Sequence, residues 1–118
     1  MESSNMGNWI SQIRKGVTEL VVLAALRRGE AYGYELLQRI NQINGLALTE
    51  SMVYPLLARL RSDELVKVRA APSATGPPRR YYQLTSAGRN RLNEMLVHWR
   101  ALGVAVDHLV KDDCHERC

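Results

Sequence analysis

The sequence contains no phenylalanine, and its only cysteines, Cys114 and Cys118, sit at its very end. Cysteines confined to one end cannot staple a fold, so no disulfide framework is expected, and in a reducing compartment both are free thiols. Without Phe, a core must come from Leu, Val, Ile, Trp and Tyr; the hydrophobic content of 46% is ordinary for a globular chain. No apolar run approaches the ~20 residues that a membrane-spanning helix needs. The run from Val17 to Leu26 is closed by Arg27 and Arg28. The opening residues Met1-Glu2-Ser3-Ser4-Asn5 lack the basic segment of a signal peptide. A cytoplasmic protein with no membrane partner is therefore expected.

Catalytic signatures are missing too. There is no phosphate-cradling glycine loop, and the three histidines have no paired nucleophile in a recognisable motif. Neither an enzyme nor a cofactor is expected. Cys114, His115 and Cys118, with Asp107 and His108 upstream, invite a metal or thiol reading. The paired Cys-x-x-Cys spacing of a zinc site is absent, so no metal is expected and residues 112–118 read as a disordered tail.

Acidic residues are scarce in the middle of the chain. From Thr49 to Arg91 there are three (Glu50, Asp63, Glu64) against eight basic residues (Arg59, Arg61, Lys67, Arg69, Arg79, Arg80, Arg89, Arg91), a local excess of +5 where the whole chain carries +4. A concentrated positive region suits phosphate contacts and faster association with a polyanion, although a charge excess is more commonly a solvated surface. Its position in the chain favours the first reading. Val53, Leu56, Leu57 and Leu60 form an apolar stripe at helical spacing. Ser51, Tyr54, Pro55, Ala58 and Arg59 lie on the other side. Thr49 or Ser51 caps this helix, and Pro55 fits only if it lies early. Two alternating segments follow, Leu65 to Arg69 and Arg79 to Leu84, joined by a loop over residues 70–78. Helix, strand, protruding loop, strand, with arginines beside the loop, is the order of a winged helix that grips DNA.

Upstream, Met6 to Lys15 reads as a short amphipathic helix with Trp9, Ile10 and Ile13. Val17 to Arg28 reads as a separate, central one stopped at Gly29, and Gly33 to Ile43 as a third. Downstream, Thr85 caps a last helix from Ser86 to about Val110. Leu92, Leu96, Trp99, Leu102, Val106 and Leu109 recur there every three or four residues, which approximates coiled-coil spacing, flanked by Met95 and Val110. Such a helix outruns its own core, so these positions read as a dimer seam. The fold class is thus mostly α (α+β): a winged helix-turn-helix with a two-stranded wing and a long C-terminal dimerisation helix. Its parts are residues 1–84 for DNA binding, 85–111 for dimerisation, and the tail.

Four blocks carry a resemblance: Glu19-Leu20 before an apolar run, Tyr32-Gly33-Tyr34-Glu35-Leu36, Val53-Tyr54-Pro55-Leu56-Leu57-Ala58-Arg59-Leu60, and Gly76-Pro77-Pro78-Arg79-Arg80-Tyr81-Tyr82-Gln83-Leu84-Thr85-Ser86-Ala87-Gly88. In this order the chain resembles the PadR family of bacterial transcriptional regulators, in its compact form with a single C-terminal helix. The resemblance spans about Lys15 to Leu109. It implies a homodimer on a palindromic operator, usually a repressor, often relieved by a small aromatic molecule. It implies dimerisation through the last helix, joined by the N-terminal one. The family usually has Gly where Glu64 stands, so Glu64 must find another geometry or accept strain.

The residues expected to meet DNA are Tyr34, Thr49, Ser51, Met52, Tyr54, Arg59, Arg79 and Arg80. Hydroxyls of Ser51 and Tyr54 suit base edges or backbone, Met52 suits a thymine methyl or partial packing, and Arg59 suits phosphate. Arg79 and Arg80 are adjacent on a strand and point to opposite faces. Trp99, with Met95 and Leu102, is the expected effector site, because an aromatic at a dimer seam can stack on a flat ligand, interface packing being the other reading; the resemblance alone adds Trp9 across the dimer. The alternatives are a winged-helix module that binds protein, and a metal or thiol sensor using the C-terminal Cys and His residues.

Overall fold

The computed structural model describes the backbone of residues 2–43 and 45–117 and the side chains of residues 6–43 and 45–111. Helix α1 (Glu2–Leu26) opens the chain as one continuous helix, where the sequence suggested a break between two. Gly16 alone does not stop it; a helical glycine costs only about 1 kcal/mol and no proline or cap supports a break. The helix ends at Leu26, two residues before the expected Arg28, and a turn carries the chain to Gly29. Gly29 takes φ +139°, and Arg39 Nη1 reaches back to the carbonyls of Ala25 at 3.0 Å and Gly29 at 3.1 Å. A basic side chain thereby satisfies carbonyls that a helix end leaves orphaned.

A two-residue strand, β1 (Ala31–Tyr32), comes next and leads straight into α2 (Gly33–Asn41). Glu35 Oε1 accepts from the Tyr32 backbone amide at 3.3 Å, holding the chain at the entry to α2. Helix α2 stops at Asn41, short of Ile43. The Asn41 side chain bonds both the amide and the carbonyl of Leu48, at 3.0 and 2.9 Å, and so closes the turn to α3. Helix α3 (Glu50–Ser62) starts after Thr49, as the proline position required. Thr49 holds the extended cap conformation, yet its hydroxyl meets the Ser51 hydroxyl at 2.9 Å rather than a helix amide.

The α3 exit is built around Glu64, whose φ of +62° is the left-handed conformation that glycine adopts freely. The amide of Leu65 bonds the Leu60 carbonyl at 2.9 Å and that of Glu64 bonds the Arg61 carbonyl at 3.0 Å. These are the paired bonds of a Schellman stop. The strain expected from the missing glycine is therefore real, and it is held in place from outside: Thr85 Oγ1 donates to the Glu64 carbonyl at 2.7 Å.

Strands β2 (Val66–Ser73) and β3 (Gly76–Leu84) form a long hairpin, with the sheet order β1-β3-β2. The nine-residue loop expected over 70–78 is a misreading: pairing continues to Ser73 opposite Gly76, with an irregularity between Ala71 and Ser73. Prolines suggested a loop because they cannot donate to a ladder. Here Pro72, Pro77 and Pro78 have no register partner: they fall at the irregularity between Ala71 and Ser73, where the ladder is already interrupted. The wing is two-stranded at its tip and three-stranded at its base.

Val22, Leu23 and Leu26 of α1, Leu36 and Ile40 of α2, and Val53, Leu57 and Leu60 of α3 meet Val66 and Leu84 in one buried core. Helix α4 (Ser86–Arg117) closes it with Leu92 and then leaves. Thr85 caps α4, accepting from the Gly88 amide at 3.0 Å. The helix runs on past Val110, where the apolar pattern ended; the side chains of the expected tail, including Cys114, His115 and Cys118, lie outside the described residues. The radius of gyration is 17.7 Å, against about 13 Å for a compact chain of this length. No helix among the described residues is long and apolar enough to cross a membrane.

Candidate nucleic-acid interface

Helix α3 turns its apolar stripe inward, and Ser51, Pro55, Ala58 and Ser62 stand exposed on the opposite side. This outer ridge is made of small side chains, so a groove can approach the helix backbone closely. Tyr54 flanks it. Its ring lies directly on Gly33: a Cβ at that position would sit 2.3 Å from Tyr54 Cε1. Gly33 thus leaves room for the Tyr54 ring, which a larger residue would displace. Burial of the ring pushes the Tyr54 phenol up, and the charges of Glu50 and Tyr82 add to this. It stays a neutral O–H donor at physiological pH. Tyr34 is exposed one residue into α2, so the fold brings both tyrosines to the amide-rich start of that helix.

The hairpin distributes its side chains by parity. Val66, Val68, Tyr82 and Leu84 take the core face, and Arg80, opposite Ala70, continues that face beyond the core, where it is exposed. Arg79 lies on the outer face with its guanidinium 4.4 Å from the centre of the Tyr32 ring. Tyr32 meets Tyr81 edge-on at 5.6 Å, Arg69 stands 4.8 Å from the Tyr81 ring, and Arg69 pairs with Glu30. The Arg69 guanidinium holds the Glu30 carboxyl below its ordinary range. Two guanidinium groups thus flank a pair of rings at the base of the wing. No local spacing in the sequence marks Arg69 and Glu30 as a pair, because they become neighbours only through strand pairing.

Other expected site residues fall differently. Met52 is half-buried against the core, which is its packing reading. Arg59, expected at a phosphate, is engaged within the chain: its Nη2 donates to Glu19 Oε1 at 2.6 Å. Leu92, expected in a dimer seam, is 1% exposed and belongs to its own core. No second chain can reach it. Leu96 is half-buried against the same core, so an uncovered stripe starts only at Trp99.

Trp99 is 47% exposed and lies between two apolar grooves. One, of about 460 Å³, runs between α1, α2 and α4 past Val21, Ala24, Ile40 and Leu96. The other, of about 420 Å³, lies between α1 and α4 and is lined by Ile13, Val17, Leu20, Met95 and Leu102. Trp99, Met95 and Leu102 are therefore brought together. Trp9 lines neither groove and stands exposed further up α1. Among the described residues no group of His, Cys, Asp or Glu could hold a metal ion.

A helix-turn-helix followed by a hairpin wing, with a long helix appended, is the architecture of winged-helix regulators. The chain belongs to the PadR-like family of transcriptional regulators: the description "Transcriptional regulator PadR-like family" matches residues 22–94. It is similar to the crystal structure of a PadR-like regulator from Bacillus cereus, at 33% identity and a TM-score of 0.74, covering 84% of this chain and 96% of that one. It is also similar to a PadR family regulator from Eggerthella lenta, at 28% identity and a TM-score of 0.83, covering 92% and 95%. A third similar structure is Bacillus subtilis PadR in complex with operator DNA, at 26% identity and a TM-score of 0.64. That likeness covers 69% of this chain but only 46% of the other, so this chain spans about half of that protein's length. These relatives are regulators of transcription and not enzymes.

Proposed function

We propose that the chain is a cytoplasmic, homodimeric DNA-binding repressor of a palindromic operator, released by a small apolar or aromatic effector at the dimer interface. The observation that carries the reading is the small-residue ridge of α3 standing exposed beside a hairpin that bears Arg79 and Arg80. The operator complex of Bacillus subtilis PadR supports it by analogy. Ser51 and Tyr54 would work at base edges, Thr49 and Tyr34 at nearby backbone, and the wing arginines at phosphate or the minor groove.

Replacing both Arg79 and Arg80 by Ala is expected to weaken binding to many duplexes alike. The dependence of log affinity on log salt should flatten by about one or two units. Salt-dependent anisotropy titrations on an operator and on random duplexes check this. Unchanged affinity and slope would favour a protein-binding module instead.

The effector site rests on the placement of Trp99 between its two grooves. The exposed stripe of Trp99, Leu102, Val106 and Leu109 supports α4 as the dimer seam, which would put those grooves at its centre. A ligand there with unequal affinity for two helix-pair arrangements would change the spacing of the two α3 helices without touching DNA. An aromatic effector that releases DNA should quench Trp99 emission in a Trp9→Phe background. Release with unchanged emission, in a protein that Trp99→Ala leaves fully inducible, would refute the site.

A further inference from the structure

One carboxylate on α1 is gripped by arginines from two other helices. Glu19 Oε1 accepts from Arg59 Nη2 of α3 at 2.6 Å, and Glu19 Oε2 accepts from Arg91 Nε of α4 at 3.0 Å. The Glu19 side chain is only 16% exposed, whereas those of Arg59 and Arg91 are 56% and 50% exposed. Ion pairs so open to water are screened and add little to stability. Their value must then lie in geometry. The junction beside them is not packed: a groove of about 310 Å³ lies between α1 and α3, bordered by Lys15, Thr18, Met52 and Leu56. The Glu19–Arg59 pair spans this gap. The opposite flank of α3 is pinned by the Tyr54 ring on Gly33. Between those flanks the helix rests on Val53, Leu57 and Leu60, and apolar packing alone is non-directional.

We propose that Glu19 is a positioning residue for sequence-specific DNA binding. It fixes the roll of α3 about its axis through Arg59 and ties that roll to α4 through Arg91. The inference rests on the DNA-binding reading above and adds to it a division of labour. Arg59 serves specificity by holding the ridge of Ser51, Pro55 and Ala58 at one presentation angle, not affinity by reaching phosphate. Base-edge contacts depend on that angle, whereas phosphate contacts carry no sequence information. Because Arg91 rides on the helix whose exposed stripe is the proposed dimer seam, a shift of α4 would reach the reading helix through this one carboxylate.

The test uses the full chain and a duplex enriched from a random-sequence pool by the wild-type protein, compared with a scrambled duplex of equal length. Glu19→Gln keeps the shape and removes the charge. It is expected to lower affinity for the enriched duplex by about five- to tenfold, within the usual range for residues that couple sites without touching the ligand. Affinity for the scrambled duplex should stay unchanged or rise slightly. Arg59→Gln should lower the same ratio, and the double variant should lose less than the two single losses combined, because they share the Glu19–Arg59 contact. An equal loss on both duplexes would make Arg59 a phosphate contact and overturn the proposal. A gain on both would make Glu19 a mere competitor for Arg59 and overturn it too, as would an unchanged ratio. If Glu19→Gln does not fold, Arg59→Gln alone decides by the same ratio. A wild-type protein that enriches no sequence from the pool would instead defeat the DNA-binding reading itself.

Discussion

Replacing Leu102 and Val106 together by glutamate is expected to turn the protein into a monomer at micromolar concentration and to abolish operator binding. Both side chains are more than half exposed in the single chain, so the substitution leaves the fold of one chain untouched. Burial of a large apolar side chain is worth roughly 1.5–3 kcal/mol. A seam between two chains would bury each position twice. Placing carboxylates there both removes that gain and adds the cost of desolvating charge, which is several kcal/mol per ion. Since 1.4 kcal/mol is a factor of ten, dissociation should rise by at least about 10⁴-fold. Operator binding follows, because a palindrome is held by two half-sites and a monomer loses the linkage between them. Light scattering gives the mass and circular dichroism the retained helix. A double variant that keeps the mass of a dimer would place the interface elsewhere.

Gly88→Ala is expected to lower the melting temperature by roughly 10 °C, although alanine is the better helix former. A Cβ at position 88 would lie 2.0 Å from the Leu65 carbonyl oxygen and 3.2 Å from Leu84 Cδ2. The first of these is backbone and cannot rotate away. The same carbonyl accepts from the Thr85 amide at 3.1 Å, and Thr85 also holds the strained Glu64 turn. One methyl group therefore pushes on the α3 exit, the start of β2 and the cap of α4 together. Overpacking of this kind costs about 1–3 kcal/mol or more, and a lost hydrogen bond about 1 kcal/mol. The helix propensity gained is about 1 kcal/mol. The net loss of about 2 kcal/mol corresponds to several degrees per kcal/mol for a chain of this size. Differential scanning calorimetry reads it directly. An unchanged or higher melting temperature would mean that α4 can shift away from Leu65 at no cost.

The candidate site was legible where chemistry repeats locally. The two faces of α3, the early proline and the Thr85 cap all follow from spacing within one helix turn or from one side chain and its nearest amides. The Glu64 turn was legible only through the family resemblance, because the glycine usual at that place marks a left-handed helix stop. The hairpin length was not. Alanine, serine and proline at 70–78 have the composition of a loop, and only the irregularity between Ala71 and Ser73 lets the ladder carry its prolines. Strand β1 is too short for any periodicity to mark it.

Sequence by itself determined which residues must be hidden: the apolar stripes on α1, α2, α3 and α4 are written in their spacing. What hides each stripe was decided only by tertiary structure. Leu92 and Val106 stand two heptads apart in one repeat, yet Leu92 is 1% exposed and Val106 is 51% exposed. The physical reason is geometric: α4 is 32 residues long and the core is small, so the helix leaves the core partway along its length. Polar partners obey the same limit. Glu19 meets Arg59 and Arg91 across 40 and 72 positions of chain, and Arg79 meets Tyr32 through strand pairing. Charge and ring type announce what a side chain can bind, but the partner is chosen by the packing of helices and strands that are distant in sequence.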